Sequence, residues 1–398
     1  MSGLVVVGAS LAGIRAAEEA RASGWEGPIT LVGDEPHAPY DRPSLSKEFL
    51  AEGLDPEPQP LAAPEWYAER GVELALGERA TALDPARGVL TTTAGEREFS
   101  RAVIATGSAP VRLPGTEGLA GVVSLRTQED AAEVRRALDA RAKIAVIGGG
   151  FIGAEVASAA RKRGLSPTII EGAPVPLVRA VGEEMGGVLA QLHAQHGTDL
   201  RCGIGVSGFI GDERVEAVTL ADGSLVEADL VVVGIGTRPT TGWLEGSGLE
   251  LENGLVCDSS LRSSAPNVWA AGDIANWHNP LFGRQMRIEH FTAAAEQGAR
   301  AGRNAALEHD PLPYATVPYF WSDWYGHRIQ FAGVATPEFE VVSGGLDEAH
   351  FVVLYRDGDR LAGVLTLNGQ RHVMKYRKRI ADGGLFADAL AFAAARVG

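Results

Sequence analysis

Two glycine-rich turns, each set after a β-branched run and each opening a βαβ unit, come before a C-terminal stretch of alternating strands. This pattern predicts an α/β fold: two Rossmann-like dinucleotide-binding domains plus a small C-terminal α+β domain with an antiparallel sheet. The turns are "LVVVGASLAG" (Leu4 to Gly13) and "KIAVIGGGFIGAE" (Lys143 to Glu155). A helical stretch and a second apolar strand follow each one, "PITLVGD" and "SPTIIEG". Asp34 and Glu171 close those second strands, 26 and 23 positions after the first glycine of their turns. That is near the ~20 expected of a carboxylate that accepts hydrogen bonds from ribose hydroxyls.

A turn of small residues lets the backbone approach a pyrophosphate seated on the positive end of the following helix. The candidate contacts in the first turn are Gly8, Ser10, Leu11, Ala12 and Gly13. Ser10 stands where the strict fingerprint has its middle glycine, so the fingerprint is broken there. In the second turn they are Gly148, Gly150, Phe151, Ile152, Gly153 and Glu155. One such turn is weak evidence; two, each with its carboxylate, are strong. Glu171 repels a 2′-phosphate, so the second site is expected to prefer NADH over NADPH, with Arg179 eight residues on to moderate this.

Between the turns, "RAVIATGSAPVRLPG" reads as a strand ending in Ala105, Thr106 and Gly107, followed by a proline-punctuated crossing. "DLVVVGIGTRPT" ends in the same way around Gly236. Crossings near 112 and 240 divide the chain into a discontinuous first domain (1–111 and 241–316), a second domain (112–240) and a C-terminal domain (317–398). The strand in "NVWAAGDIA" ends on Gly272 and Asp273, and the alanine-rich helix "HFTAAAEQGARAGRNAA" follows. "EFEVVSGG" and "HFVVLYRDGDRLAGVLTLNG", with an Asp-Gly hairpin signal, supply the antiparallel strands.

A chain of 398 residues is too long for one compact core. Its net charge of −15 opposes binding to nucleic acid or an anionic membrane surface, and serves solubility equally well. Cys202 and Cys257 lie far apart and in no ligand spacing, and the nine histidines are scattered, so no metal is expected. "MSGLVVVGAS" has no basic region ahead of its apolar run and no uncharged run reaches ~18 residues, so a cytoplasmic protein is expected. The tail "LFADALAFAAARVG" reads as a short packing helix.

The order GASLAG, YDRPSLSK, ATG, GGGFIGAE, GIGTRP, AAGD resembles the two-dinucleotide flavoprotein reductases of the glutathione reductase class, over essentially the whole chain. Disulfide reductases of that class carry a redox cysteine pair where this chain has Pro43 to Lys47; peroxide and coenzyme-A-disulfide reductases carry one cysteine. This chain has neither, which excludes thiol chemistry at the flavin. "YDRPSLSK" instead resembles the "RPPLSK" signature of oxygenase-coupled, NADH-dependent ferredoxin reductases, with Ser44 in place of the second proline. "PYFWSDWYGHRIQ" resembles their "FWSDQY" segment, with Trp324 where glutamine is common.

The resemblance implies FAD and NADH as cofactors, and it implies roles for matched residues. Arg42 supplies a bidentate donor to the FAD pyrophosphate. Asp34 holds the adenosine ribose, and Asp273 the ribityl chain or simply a helix start. Arg126 matches a position that contacts FAD, or is a surface charge before the "TQED" helix. Ala80, Ala105, Thr106, Gly107, Gly272 and Phe291 complete the expected FAD set, and Gly236 the NADH set. Lys47 stabilises negative charge developing at the flavin ring. Glu155 receives the nicotinamide amide, pairs with Lys47, or is a helix-start glutamate facing its dipole. Trp321 stacks on or screens the flavin edge, unless it is core, crowded by Tyr319, Phe320, Trp324 and Tyr325.

The implied activity is that of a ferredoxin–NAD(+) reductase, an electron-transfer oxidoreductase. A hydride passes from NADH to FAD, then single electrons pass to a two-iron two-sulfur ferredoxin serving a haem monooxygenase or a ring-hydroxylating dioxygenase. Two alternatives stay open: an NADH-responsive binding protein like the apoptosis-inducing flavoproteins, and a rubredoxin reductase. "RHVMKYRKR" (Arg371 to Arg379), with Arg300 and Arg303, is either a docking patch for the ferredoxin or a solvated basic face.

Overall fold

A computed structural model describes residues 3–53, 57–307 and 309–395. The chain forms two compact units. The first comprises Met1–Asp41, Gln59–Ala109 and Arg238–Pro318; the second comprises Arg42–Pro58, Pro110–Thr237 and Tyr319–Gly398.

In the first unit the β-branched run Gly3–Val7 is an inner strand, paired in parallel with Ile29–Gly33 and with Gly95–Ile104. Val72–Leu76 and Val268–Ala270 extend the parallel sheet on either side. The antiparallel strands Val89–Thr92 and Ala80–Asp84 continue it from the outer half of Gly95–Ile104. Leu4, Val6, Leu31, Val103 and Ile104 are fully buried. Unbroken apolar runs of this kind suit parallel strands covered on both faces. The helices Leu11–Ala22 and Phe291–Ala306 pack backbone to backbone: a Cβ added at Gly298 or Gly302 would stand 2.2 or 2.1 Å from the carbonyl oxygen of Ala12 or Ala16.

The second unit carries a five-stranded parallel sheet in the order Asp199–Cys202, Thr168–Glu171, Ile144–Ile147, Leu230–Val233, Val122–Val123. It also carries a five-stranded antiparallel sheet ordered Tyr319–Trp324, His327–Gly333, Arg360–Leu367, Phe351–Asp357, Glu338–Gly344, followed by the helices Gln370–Ala381 and Phe386–Ala394. The α/β class and the C-terminal antiparallel sheet are thus as the sequence predicts. Met185 and Leu189 of the helix Glu183–Gln195 share a core with Phe320, Trp324 and Phe351 of the antiparallel sheet.

The short turns Pro43–Ser46 and Glu48–Leu50 belong to this second unit. Arg163 donates from Nη2 to the Leu50 carbonyl at 2.8 Å, and Arg135 from Nη1 to that of Phe49 at 3.0 Å. No helix among the described residues is long and apolar enough to cross a membrane.

Candidate functional site

In the first unit the strand Gly3–Val7 hands over to the helix Leu11–Ala22 at Gly8, whose φ of +121° is closed to most side chains. A Cβ there would lie 2.1 Å from the Ala105 carbonyl oxygen, so the turn exists only with glycine. Ser10 is the extended N-cap residue, and Leu11, Ala12 and Gly13 form the first helical turn, which carries no acidic side chain. The free N–H groups of such a turn suit a phosphate. Asp34 is exposed just beyond Ile29–Gly33. Backbone bonds from Glu78 to Gly33 and from Gly77 to Glu35 bring the loop before Ala80 beside that strand end.

Ala105, Thr106 and Gly107 follow the strand Gly95–Ile104, and the Ala105 N–H donates to the Val7 carbonyl at 2.7 Å. Gly272 is fixed by its N–H to the buried Gln297 Oε1 at 2.8 Å. Ser108 Oγ donates to Asp273 Oδ2 at 2.8 Å, which aims the carboxylate. Phe291 opens the helix Phe291–Ala306. A helix start with no acidic side chain in its first turn, a close-approach glycine and a carboxylate at a strand end are the donor and acceptor set that a dinucleotide requires, so these residues fit FAD.

The second unit repeats the device. Gly148 has φ +103°, and a Cβ there would meet the Gly234 carbonyl oxygen at 2.4 Å. Gly150 is the N-cap of the helix Phe151–Lys162, with Ile152 exposed and Gly153 packed against the Gly148 carbonyl. Glu171 accepts the N–H of Gly149 on one oxygen and that of Ala173 on the other, both at 2.7 Å, bracing the turn with a carboxylate. Gly236 accepts the Val111 N–H, and Arg179 is exposed. These residues fit NADH.

Arg42, Lys47 and Arg126 all lie in the second unit. Arg42 donates from Nη1 to the Arg126 carbonyl at 2.7 Å, which ties the two cations together. Thr127, next in the chain, caps the helix Gln128–Asp139 in a capping box with Asp130.

Glu155 is not a helix-start glutamate facing its dipole, since the first turn of Phe151–Lys162 holds no acidic residue. It lies in the fifth position of its helix and is nearly buried, with 4% of its side chain exposed against 18% for Lys47. Lys47 Nζ stands 2.8 Å from Glu155 Oε2, and Ser46 Oγ donates to the same oxygen at 2.5 Å. Ser322 Oγ donates to Glu155 Oε1 at 2.6 Å, and the Asp323 N–H approaches that oxygen at 3.4 Å. Desolvating an ion pair costs several kcal/mol per ion before attraction offsets it, so the Lys47–Glu155 pair is a poor means of stability alone. Sequence reasoning missed Ser46 and Ser322, although both lie inside the two discriminating motifs. The signal was there: in Tyr319–Trp324 the period of two puts Ser322 on the apolar face with Phe320 and Trp324.

Trp321 lies on the other, half-exposed face of that strand, stacked on Tyr319 with ring centroids 5.9 Å apart. Arg377 stands over the Tyr319 ring at 5.7 Å. The helix Gln370–Ala381 points Val373, Tyr376 and Ile380 inward and exposes Arg371, Met374, Lys375 and Lys378. Arg379 is occupied by the Phe392 ring at 3.7 Å, and Arg303 by the Asp310 carbonyl and carboxylate. Burial pushes the Cys257 thiol far up, and burial and then Glu171 push that of Cys202 up, so neither is poised as a thiolate. No group of metal-ligating side chains occurs among the described residues.

Residues 2–298 match the family model described as pyridine nucleotide-disulphide oxidoreductase, and residues 319–396 match the model described as reductase C-terminal. Putidaredoxin reductase of Pseudomonas putida is 37% identical, over 92% of this chain and 88% of its own length. The ferredoxin–NAD(+) reductase subunit of the benzene 1,2-dioxygenase system of Pseudomonas putida is 36% identical, over 92% of this chain and 90% of its own. Among solved structures, the covalent putidaredoxin reductase–putidaredoxin complex superposes with a TM-score of 0.91 at 35% identity, covering 96% of this chain and 93% of that one.

Proposed function

The chain belongs to the pyridine nucleotide-disulphide oxidoreductases, and from that premise we infer that it is an FAD-dependent ferredoxin–NAD(+) reductase. Its electron acceptor is a two-iron two-sulfur ferredoxin that feeds a monooxygenase or dioxygenase, in line with the named activities of its relatives. The observation that carries this reading is the stretch Arg42 to Lys47. There the chain offers a lysine paired with a buried carboxylate, where thiol-using members of the class keep sulfur.

We assign 1–111 and 241–316 to FAD, 112–240 to NADH and 317–398 to the C-terminal domain. When bound, FAD supplies the two-electron to one-electron conversion that links a hydride donor to an iron–sulfur carrier. The protein's residues bind, orient and balance charge. The Gly8 turn and its helix start take the flavin nucleotide's pyrophosphate, with Arg42 and Arg126 adding positive charge. Asp34 and Asp273 accept hydroxyl hydrogen bonds from the same cofactor. The Gly148 turn and Glu171 take NADH, and the charge of Glu171 disfavours a 2′-phosphate. Lys47, fixed by Glu155, offsets negative charge as reduction proceeds, and Trp321 screens the ring from water. Arg371, Lys375 and Lys378 form the docking face for the ferredoxin, with Met374 among them as an apolar contact. A cytoplasmic location belongs to the same reading and suits two unpaired cysteines.

The test mixes FAD-loaded protein, NADH and a two-iron two-sulfur ferredoxin, and follows cytochrome c reduction. Turnover that requires all three is expected. Protein that stays colourless after loading with FAD, or is reduced by NADH without passing electrons to ferredoxin, ends the reading.

A further inference from the structure

Ser322 and Trp324 are both fully buried, on the same face of the strand Tyr319–Trp324. The Trp324 indole Nε1–H donates to Ser322 Oγ at 2.9 Å. An indole nitrogen is a donor only, and a serine hydroxyl has a single proton. With its oxygen engaged by the indole, the Ser322 proton is directed onto Glu155 Oε1, 2.6 Å away. The other oxygen of Glu155 takes Ser46 and Lys47. Every group named on the carboxylate is thus a donor, and the row Trp324–Ser322–Glu155 runs one way. Glutamine, common at position 324 in the family that the sequence resembles, carries both a donor and an acceptor and would leave the hydroxyl's direction open.

We infer that Trp324 and Ser322 are positioning residues for the Lys47–Glu155 pair, ordering one hydroxyl proton so that both Glu155 oxygens are held as acceptors. The inference rests on the reductase reading for its effect on turnover, while the ordering itself is independent of it. Trp324 is held in turn by its tilted stack on the buried His193, with centroids 5.0 Å apart. The strand is pinned to the Glu155 helix by the Tyr325 N–H, which donates to Ser158 Oγ at 2.7 Å. Glu155 and Ser158, one helical turn apart, thus hold two points of the same strand and turn.

The test uses the full-length, FAD-loaded protein carrying isotope-labelled tryptophan, with the Trp324 indole N–H resonance identified by its loss in Trp324→Phe. Ser322→Ala removes the acceptor and is expected to move that resonance. Glu155→Gln is expected to move it too, because a carboxamide that donates displaces the Ser322 proton. Ser46→Ala, acting on the other oxygen, leaves it in place. In rapid mixing with NADH, Trp324→Phe and Ser322→Ala are expected to slow flavin reduction about tenfold, the factor one hydrogen bond near a charge supplies. The apparent Kd for NADH stays unchanged, and Ser322→Thr restores the rate. An indole resonance indifferent to Glu155→Gln, or wild-type reduction rates in both variants, overturns the inference. Should Ser322→Ala fail to fold, Trp324→Phe carries the kinetic arm and Glu155→Gln the spectroscopic one. If NADH does not reduce the wild-type flavin at all, the reductase reading fails, and the indole resonance still decides the ordering.

Discussion

His193 is buried and His290 is half-buried, and desolvation pushes each imidazole down to about 4, helped at His193 by the nearby His196 and opposed at His290 by Glu289. Each is neutral in the folded protein at pH 7. In the unfolded chain a histidine titrates near ~6.5, so between pH ~6.5 and about 4 the unfolded state binds the extra protons. Stability is therefore full above ~6.5 and falls as pH drops towards about 4. Thermal unfolding followed from pH 7 to 4.5 is expected to show this slope, and His193→Asn to flatten part of it. A slope unchanged by that substitution would mean that other groups carry the acid sensitivity. Neither histidine was singled out in the sequence, because a pattern shows where a histidine stands in a helix but not what covers it. The glycines of the two turns were legible, since their need is local: Gly8 and Gly148 take positive φ within the turn itself. Ser46, Glu155 and Ser322 come from separate stretches, and nothing within any one of them records the other two.

Helix packing shows the same limit one level up. "HFTAAAEQGARAGRNAA" reads as a helix, and it is one, Phe291–Ala306. Its two glycines four apart gave no clue to their partner, which is the first glycine-turn helix, met at the Ala12 and Ala16 carbonyls. Both helices start at residues assigned to the flavin, so their spacing fixes how the two helix N-termini are presented together. Gly302→Ala puts a methyl 2.1 Å from backbone, not from a flexible side-chain tip, so the helices must separate. Overpacking of this kind costs ~1–3 kcal/mol. The variant is expected to melt several degrees lower and to release FAD more readily on dilution, read from flavin fluorescence. Gly302→Ala with wild-type melting and FAD retention would show that the helix pair yields without consequence.

Charge acts on the scale of the whole molecule, and here it opposes the local patch. A net charge of −15 is expected to repel a ferredoxin of the same sign at long range, whereas the proposed docking residues Arg371, Lys375 and Lys378, on one helix face, are expected to attract it at contact. Lys378 also pairs with Asp382 at 2.9 Å, which leaves Arg371 and Lys375 as the stronger contributors. Salt separates the two effects, because the screening length shrinks from ~30 Å at 0.01 M to ~8 Å at 0.15 M ionic strength. Added salt should first remove the long-range repulsion and only later weaken the contact pairs. The kcat/KM for ferredoxin is therefore expected to pass through a maximum between those limits. In Arg371→Glu with Lys375→Glu only Lys378, already paired with Asp382, is left to attract against two added carboxylates, so kcat/KM should start lower and rise monotonically with salt. Reduction of a small neutral dye by NADH, which needs no docking, should follow neither curve. A ferredoxin profile that falls steadily from the lowest salt in the wild type would mean that attraction dominates at every range. A double variant with the wild-type profile would move the docking face off this helix altogether.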